Sequence, residues 1–181
     1  LGRINCYNND MNKVNVIGGS TWDVMLTTPE ANLTKSRTAS GLKQFLAFEY
    51  GAKIDTSRAE YSFGGGGANV AVGLSRLGLE AHIITRVGRD WRGKEIVAHL
   101  KKEKVNIKNV QYDNKLLSAV SLIVTAGGAH EHVAFVDRGA TMNLEVKASG
   151  GTEWAYLTSI ANKNWFLLIS KFLKQEVARG N

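Results

Sequence analysis

The sequence is short of cysteine and proline, with Cys6 and Pro29 the single examples of each among 181 residues. A lone cysteine excludes an intramolecular disulfide and any multi-cysteine metal centre, and it fits a reducing compartment such as the cytoplasm. With proline marking almost nothing, the 19 glycines carry most of the turn information. No window approaches the ~20 consecutive apolar residues of a membrane-spanning helix, so no membrane partner is expected. The opening segment Leu1–Lys13 is polar and rich in asparagine, without the apolar stretch of a signal peptide. Residues 1–13 are therefore expected to form a disordered or expression-derived leader, with Met11 a candidate natural start and the domain running over 14–181.

Charge of one sign is in excess but not concentrated. Lys and Arg number 23 against 16 Asp and Glu, a formal net charge of +7. Such a balance is compatible with nucleic acid or phosphorylated ligands. The densest run, Lys101, Lys102 and Lys104, falls on the outer side of a candidate helix with no nucleic-acid motif beside it. It reads as a solvated helix face, and no nucleic-acid partner is expected.

What is present is an alternation of apolar runs and helical periodicity. Val14–Ile17 reads as a buried strand running into the Gly18-Gly19-Ser20 turn, and Trp22–Leu26 continues in strand-like residues. Thr27–Gln44 reads as an irregular polar connection. Phe45–Tyr50 and Ala59–Phe63 are strand candidates that could pair as a hairpin. Val70, Ala71, Leu74 and Leu77 recur at helical spacing, and Gly78 supplies the stop. Ala81–Val87 has the continuous apolar character of a strand covered on both faces. Arg92–Lys104 follows as a helix with Ile96, Val97 and Leu100 on its buried side. Ser118–Val124 and His132–Val136 suggest paired strands around Ala126-Gly127-Gly128. Trp154–Ile160 is a further strand candidate. Asn164–Arg179 reads as a helix with Trp165, Leu168, Ile169, Phe172 and Leu173 along one stripe. This order predicts an α/β layer architecture with a mostly parallel sheet and a smaller antiparallel sheet. No internal repeat or low-complexity segment interrupts it.

The sharpest feature is Gly64-Gly65-Gly66-Gly67-Ala68-Asn69, four glycines opening a helix. Glycine permits close backbone approach and positive φ, and a helix N-terminus presents N–H groups and a positive dipole end. The pattern suits an oxygen-rich ligand; the alternative is a ligand-free turn. It is not a P-loop, because no Gly-Lys-Ser/Thr follows. It is not the dinucleotide fingerprint either, because Asn69 stands at the third glycine position and the preceding segment is an appended strand. The Asn69 amide can both donate and accept hydrogen bonds, or serve as a cap. Asp23, if ionised, is an acceptor fitted to two neighbouring hydroxyls of a polyol, or else an ordinary surface carboxylate.

The succession of these segments resembles the ribokinase-like (PfkB) family of carbohydrate and nucleoside kinases from about Val14 to Gly180. The first strand, its glycine turn and Asp23 match, as do the glycine–Asn signature from Gly64 to Ala71 and the helix to Leu77-Gly78. Ile83–Asp90 matches the next strand with its Val-Gly-x-Asp turn, and Gly93 follows where the family has a glycine. Arg138-Gly139-Ala140 stands at the family's Gly-Ala-Asn step, with Thr141 in place of the Asn. Leu116–Ala119 and Ala129–His132 also depart from the family pattern. His130 and His132 alternate along a candidate strand and could contact a ligand or a metal, but two histidines without a third ligand read as surface residues.

The resemblance implies a truncated ribokinase-like three-layer α/β fold with a small antiparallel β lid drawn from within 22–26, 45–63 and 118–136. It implies that Asp23, Gly64, Gly65 and Asn69 bind the hydroxyls of a sugar or nucleoside. Gly64, Gly65, Gly66 and Gly67 would form the hinge on which the lid closes and excludes water. It further implies a possible homodimer through the lid sheet, a cytoplasmic location, and ATP and Mg2+ as cofactors of the full-length enzyme. The family's second signature, Asp-x-x-Gly-Ala-Gly-Asp, does not occur in this sequence. In the family it carries the general base and the hole for the transferring phosphate, and the nucleotide pocket lies in the same region. This chain alone is therefore expected to lack kinase turnover, to bind no cofactor and metal, and to leave strand edges without neighbours. Two other readings stay open: a non-catalytic sugar-binding or regulatory module, and a Rossmann-type dinucleotide-binding protein.

Overall fold

The computed structural model describes residues 12–127, 131–147 and 154–178. The expected leader lies almost wholly outside the described residues, as do Cys6, Met11, Gly128, Ala129, His130, Arg179 and Gly180. Lys13 is an exception to the leader boundary, since it is the first residue of a strand. The chain divides into two compact units. The first comprises 12–22, 63–119 and the described part of 138–178; the second comprises 23–62 and the described part of 120–137.

The first unit is built on a parallel sheet. Its strands are β1 (Lys13–Ile17), β6 (Glu80–Gly88), β7 (Val110–Asp113) and β10 (Trp154–Leu157), in the order β10-β1-β6-β7. β1 pairs in parallel with β10 on one side and β6 on the other, and β6 pairs in parallel with β7. Successive side chains of β1 and β6 point to opposite faces, and both faces are covered. On one face Val16, Ala81, Ile83 and Val87 meet Ala68 and Ala71 of helix α1 (Gly66–Arg76) and Ile96 and Leu100 of helix α2 (Trp91–Lys102). On the other face Ile17 and Ile84 meet Leu144, Val146 and Phe172, the last from helix α3 (Trp165–Val177). Each fully buried Ile or Leu of this kind contributes about 1.5–3 kcal/mol.

The helices end where local chemistry dictates. Asp90 caps α2 by accepting the Gly93 N–H at 2.9 Å. α1 stops at Gly78, whose φ of +89° lets the Leu79 N–H reach back to the Leu74 carbonyl. The α3 stripe is narrower than its periodicity predicts. Phe172 is buried and Leu168 and Ile169 are partly so, but Trp165 and Leu173 are half exposed. β7 has no counterpart in the sequence reading, because four residues with one fully buried side chain carry no recognisable pattern.

The second unit holds a four-stranded sheet of order β5-β2-β8-β9. Its members are β2 (Thr21–Thr28), β5 (Arg58–Gly64), β8 (Val120–Ala126) and β9 (His132–Asp137). β8 and β9 pair antiparallel, from Val120 opposite Asp137 to Thr125 opposite His132. A separate antiparallel pair consists of β3 (Asn32–Thr38) and β4 (Gly41–Ala47). This corrects two expectations. Most of Thr27–Gln44 is strand, not irregular connection, and Phe45–Tyr50 does not pair with Ala59–Phe63. The partner of β4 is β3, joined through Ala39 and Ser40, with Gly41 opening β4 at a φ of +113°. β5 instead lies beside β2.

Candidate substrate site

The chain lays down β1, β6 and β7 in one direction and then returns to place β10 on the far side of β1. The strand order therefore reverses between β1 and β10. In open α/β sheets the crevice outside the carboxyl ends of the strands at such a reversal is where ligands bind. In this chain that crevice is formed by Gly18-Gly19-Ser20 after β1 and Thr158-Ser159 after β10, and the N-terminus of α1 enters it.

The four glycines are used in different ways. Gly64 is buried at the end of β5. Gly65 is the N-cap of α1, with φ +89°, and a Cβ there would stand 2.6 Å from the Gly19 carbonyl oxygen and 2.8 Å from Ser20 Cα. Gly66 and Gly67 already belong to the helix. A Cβ on Gly67 would fall 2.6 Å from the Gly18 carbonyl carbon, and one on Gly66 2.5 Å from Thr158 Oγ1. Glycine is therefore demanded by the close approach of the β1 turn and of β10. The N-terminus is also less open than its sequence suggests. Gly67 and Ala68 both donate to the Gly19 carbonyl, at 3.0 and 3.3 Å, whereas the N–H groups of Gly65 and Gly66 have no partner among the described residues.

Asn69 lies in the first turn of α1. Its N–H donates to the Gly65 carbonyl at 2.9 Å, and its side chain is exposed with no hydrogen bond among the described residues. It is not the helix cap, since that position belongs to Gly65. Gly64, Gly65 and Asn69 thus sit together in the first unit, on consecutive parts of one turn. Asp23 belongs to the second unit, in β2, half-buried, and burial pushes its carboxyl above the usual range.

Two other acidic groups are structural. Asp90, beyond capping α2, accepts the hydroxyl and N–H of Ser118 at 2.6 and 3.1 Å, while Ser118 Oγ accepts the Gly88 N–H at 2.9 Å. Gly88 and Gly139 close on the Leu116–Ser118 backbone, and Gly93 on the Gly88 carbonyl and the Ser118 hydroxyl, each too near to carry a side chain. Burial raises the Asp90 carboxyl, but the hydrogen bonds from Ser118 and Gly93 and the charge of Arg92 outweigh it and the net shift is downward. Asp113 accepts the N–H groups of Leu116 and Lys115, Asn143 Nδ2 and Arg86 Nε; these bonds hold it well below the ordinary range.

The sequence reading missed Thr158. Its side chain packs on both Gly18 and Gly66, its N–H donates to the Ile17 carbonyl at 3.0 Å, and it lines a cleft of about 380 Å3 with Leu157, Ser159, Ile160, Trp165 and Ile169. His132 lies in β9, exposed, and no group of three or more His, Cys, Asp or Glu that could hold a metal occurs among the described residues. The lysines of the outer α2 face are exposed to solvent.

A parallel α/β sheet with antiparallel strands in a second unit and a glycine-opened helix at its switch point defines an open α/β fold class, and comparison with known proteins narrows it to one family. Residues 36–179 match the model of the pfkB family carbohydrate kinases, and the chain belongs to that family. The 2-dehydro-3-deoxygluconokinase of Bacillus subtilis is 38% identical over 69 residues, 38% of this chain and 21% of that protein. The nucleoside kinase of Methanocaldococcus jannaschii superposes with a TM-score of 0.68 at 21% identity, over 89% of this chain and 48% of its own. The ribokinase of Arabidopsis thaliana, solved with ribose and ATP, superposes with a TM-score of 0.70 at 15% identity, over 91% of this chain and 51% of its own. The chain thus spans about half the length of these solved relatives, and the curated relative is matched over a smaller share of its length.

Proposed function

We propose that this chain is the substrate-binding portion of an ATP-dependent kinase that phosphorylates a hydroxyl of a sugar or nucleoside. The observation that carries this reading is the Gly65 turn at the switch point. There, two N–H groups and the Asn69 amide, all without partners among the described residues, lie on one short stretch of backbone. Such a set of donors, with an amide that also accepts, suits a polyhydroxylated ligand better than a phosphate, which calls for cations that the turn does not supply. Family membership supports the reaction type.

In this proposal Gly64, Gly65 and Asn69 hold the substrate hydroxyls from one side. Asp23 accepts from two neighbouring hydroxyls and fixes the orientation of the sugar. Residues 14–181 act as the N-terminal part of the kinase domain, and the second unit serves as the lid, with Gly64–Gly67 as its hinge. A lid keeps water from competing with the sugar as phosphoryl acceptor. Dimerisation through the lid, supply of ATP with Mg2+ in the cytoplasm, and location of the general base and nucleotide pocket outside this chain complete the proposal. Bound ATP and Mg2+ supply the phosphoryl group and neutralise its charge; this chain's residues only bind and orient the acceptor.

Calorimetric titration with D-fructose, D-ribose, inosine and 2-dehydro-3-deoxygluconate tests the reading, alongside a coupled assay for ADP release. The expected result is binding of at least one compound without turnover. Asn69→Ala should weaken that binding roughly ten-fold, the usual effect of one lost hydrogen bond. Failure of all four to bind, or turnover that Asp23→Ala abolishes, would overturn it.

A further inference from the structure

We propose that Thr158 is a substrate-contacting, specificity-determining residue of this same cleft, an inference that rests on the sugar- or nucleoside-binding reading above. Three observations carry it. The first is its place in the topology. Thr158 immediately follows β10, whose final residue Leu157 is in register with Ile17 at the end of β1, so it stands at the carboxyl edge where strand order reverses. The second is contact. Its Cγ2 packs on Gly18 and its Oγ1 faces Gly66, so the hydroxyl lies against the first residue of α1. The third is chemistry. The side chain is half-buried, and its hydroxyl has no hydrogen-bond partner among the described residues. That hydroxyl is not sealed from solvent and is not committed within the described residues, so it can exchange its water for a ligand oxygen.

The substrate atom facing Thr158 is therefore an uncharged hydroxyl or carbonyl oxygen. A hydroxyl both donates and accepts, so it serves either. It offers a carboxylate one neutral hydrogen bond and no counter-charge. The side chain works in two halves, with the methyl locating the hydroxyl against Gly18 and the hydroxyl making the contact.

Those halves can be separated. Thr158→Val keeps the shape and loses the hydroxyl, whereas Thr158→Ser keeps the hydroxyl and loses the methyl. Each variant and the unsubstituted chain are titrated with D-fructose, D-ribose, inosine and 2-dehydro-3-deoxygluconate, and their thermal midpoints are compared. The expected result is that Thr158→Val binds the preferred compound about ten-fold more weakly with its melting temperature unchanged. Thr158→Ser should stay within about three-fold of the parent, the scale of a small loss of packing. If the parent binds and Thr158→Val binds equally well, the inference fails while the functional reading survives. If Thr158→Ser loses affinity and Thr158→Val does not, the residue is a packing element only and the inference fails. If the parent binds none of the four compounds, both fall together.

Discussion

Asp23 lies half-buried in a strand, and burial holds its carboxyl above the ordinary value of 3.8. The sign of the consequence differs for folding and for binding. A carboxyl whose pKa is raised by folding is most stabilising when protonated. Its ionisation therefore costs stability as pH rises through the native value, and Asp23→Asn should melt higher than the parent at pH 7, with the advantage gone below pH 3.8. Binding runs the other way. The ionised form accepts the sugar hydroxyls, so affinity is full above the raised pKa and falls as pH drops through it. Calorimetric affinities taken from pH 7 down to pH 4 should show that fall in the parent, and the asparagine variant should bind weakly at every pH. A variant that gains neither stability nor pH independence would show that Asp23 is an ordinary surface acid.

At the scale of elements, the glycines that open and close α1 provide a matched comparison. Gly65 and Gly78 share a φ of +89°, but a Cβ on Gly78 meets open space and one on Gly65 runs into the Gly19 carbonyl and Ser20. Gly78→Ala should cost about 1 kcal/mol, the usual left-handed penalty. Gly65→Ala carries the same penalty plus a backbone clash and should cost about 3 kcal/mol or more. Urea denaturation midpoints read the difference directly. Equal costs would mean that the β1 turn yields to α1 without strain.

The same elements show what the sequence could and could not disclose. The buried strands β1 and β6 and the stop at Gly78 are local chemistry and were legible, whereas Asp90 was read only as part of a turn and its capping of α2 emerged from the structure. The β3–β4 pair was not, because all but the last residue of β3 and most of β4 are exposed, so hydrophobic alternation leaves no trace. Gly64, Gly65 and Asn69 stood out because glycine and amide are unusual together at a helix start. Thr158 was silent, since an unremarkable hydroxyl gains meaning only when β10 is known to lie next to β1. The free donors of the α1 terminus were overestimated for a related reason: the Gly19 carbonyl that occupies two of them lies 48 residues from Gly67.

At the scale of the whole molecule, the first unit has strong cohesion inside and a bare flank outside. β10 is exposed along its length, and it is the outer strand of its sheet among the described residues. On α3, Phe166 is 71% and Leu167 69% exposed. Exposed apolar side chains and an open strand edge favour association. The double variant Phe166→Glu, Leu167→Glu should therefore reduce concentration-dependent light scattering while leaving the thermal midpoint within about 2 °C, because exposed positions contribute little to stability. A marked drop in midpoint instead would mean that these side chains are packed in solution.

The polypeptide passes between its two units four times, after Trp22, Ser62, Ala119 and Asp137. The smaller unit is consequently no single insert that recombination could swap through one pair of junctions. Its halves, 23–62 and 120–137, meet through the pairing of β2 with β8 and around a pocket shared by Leu33, Phe45, His132 and Val133, so exchanging that unit between relatives requires two grafts made together. A protease that nicks either half severs the chain without releasing a piece, for both cut ends remain rooted in the parallel sheet unit.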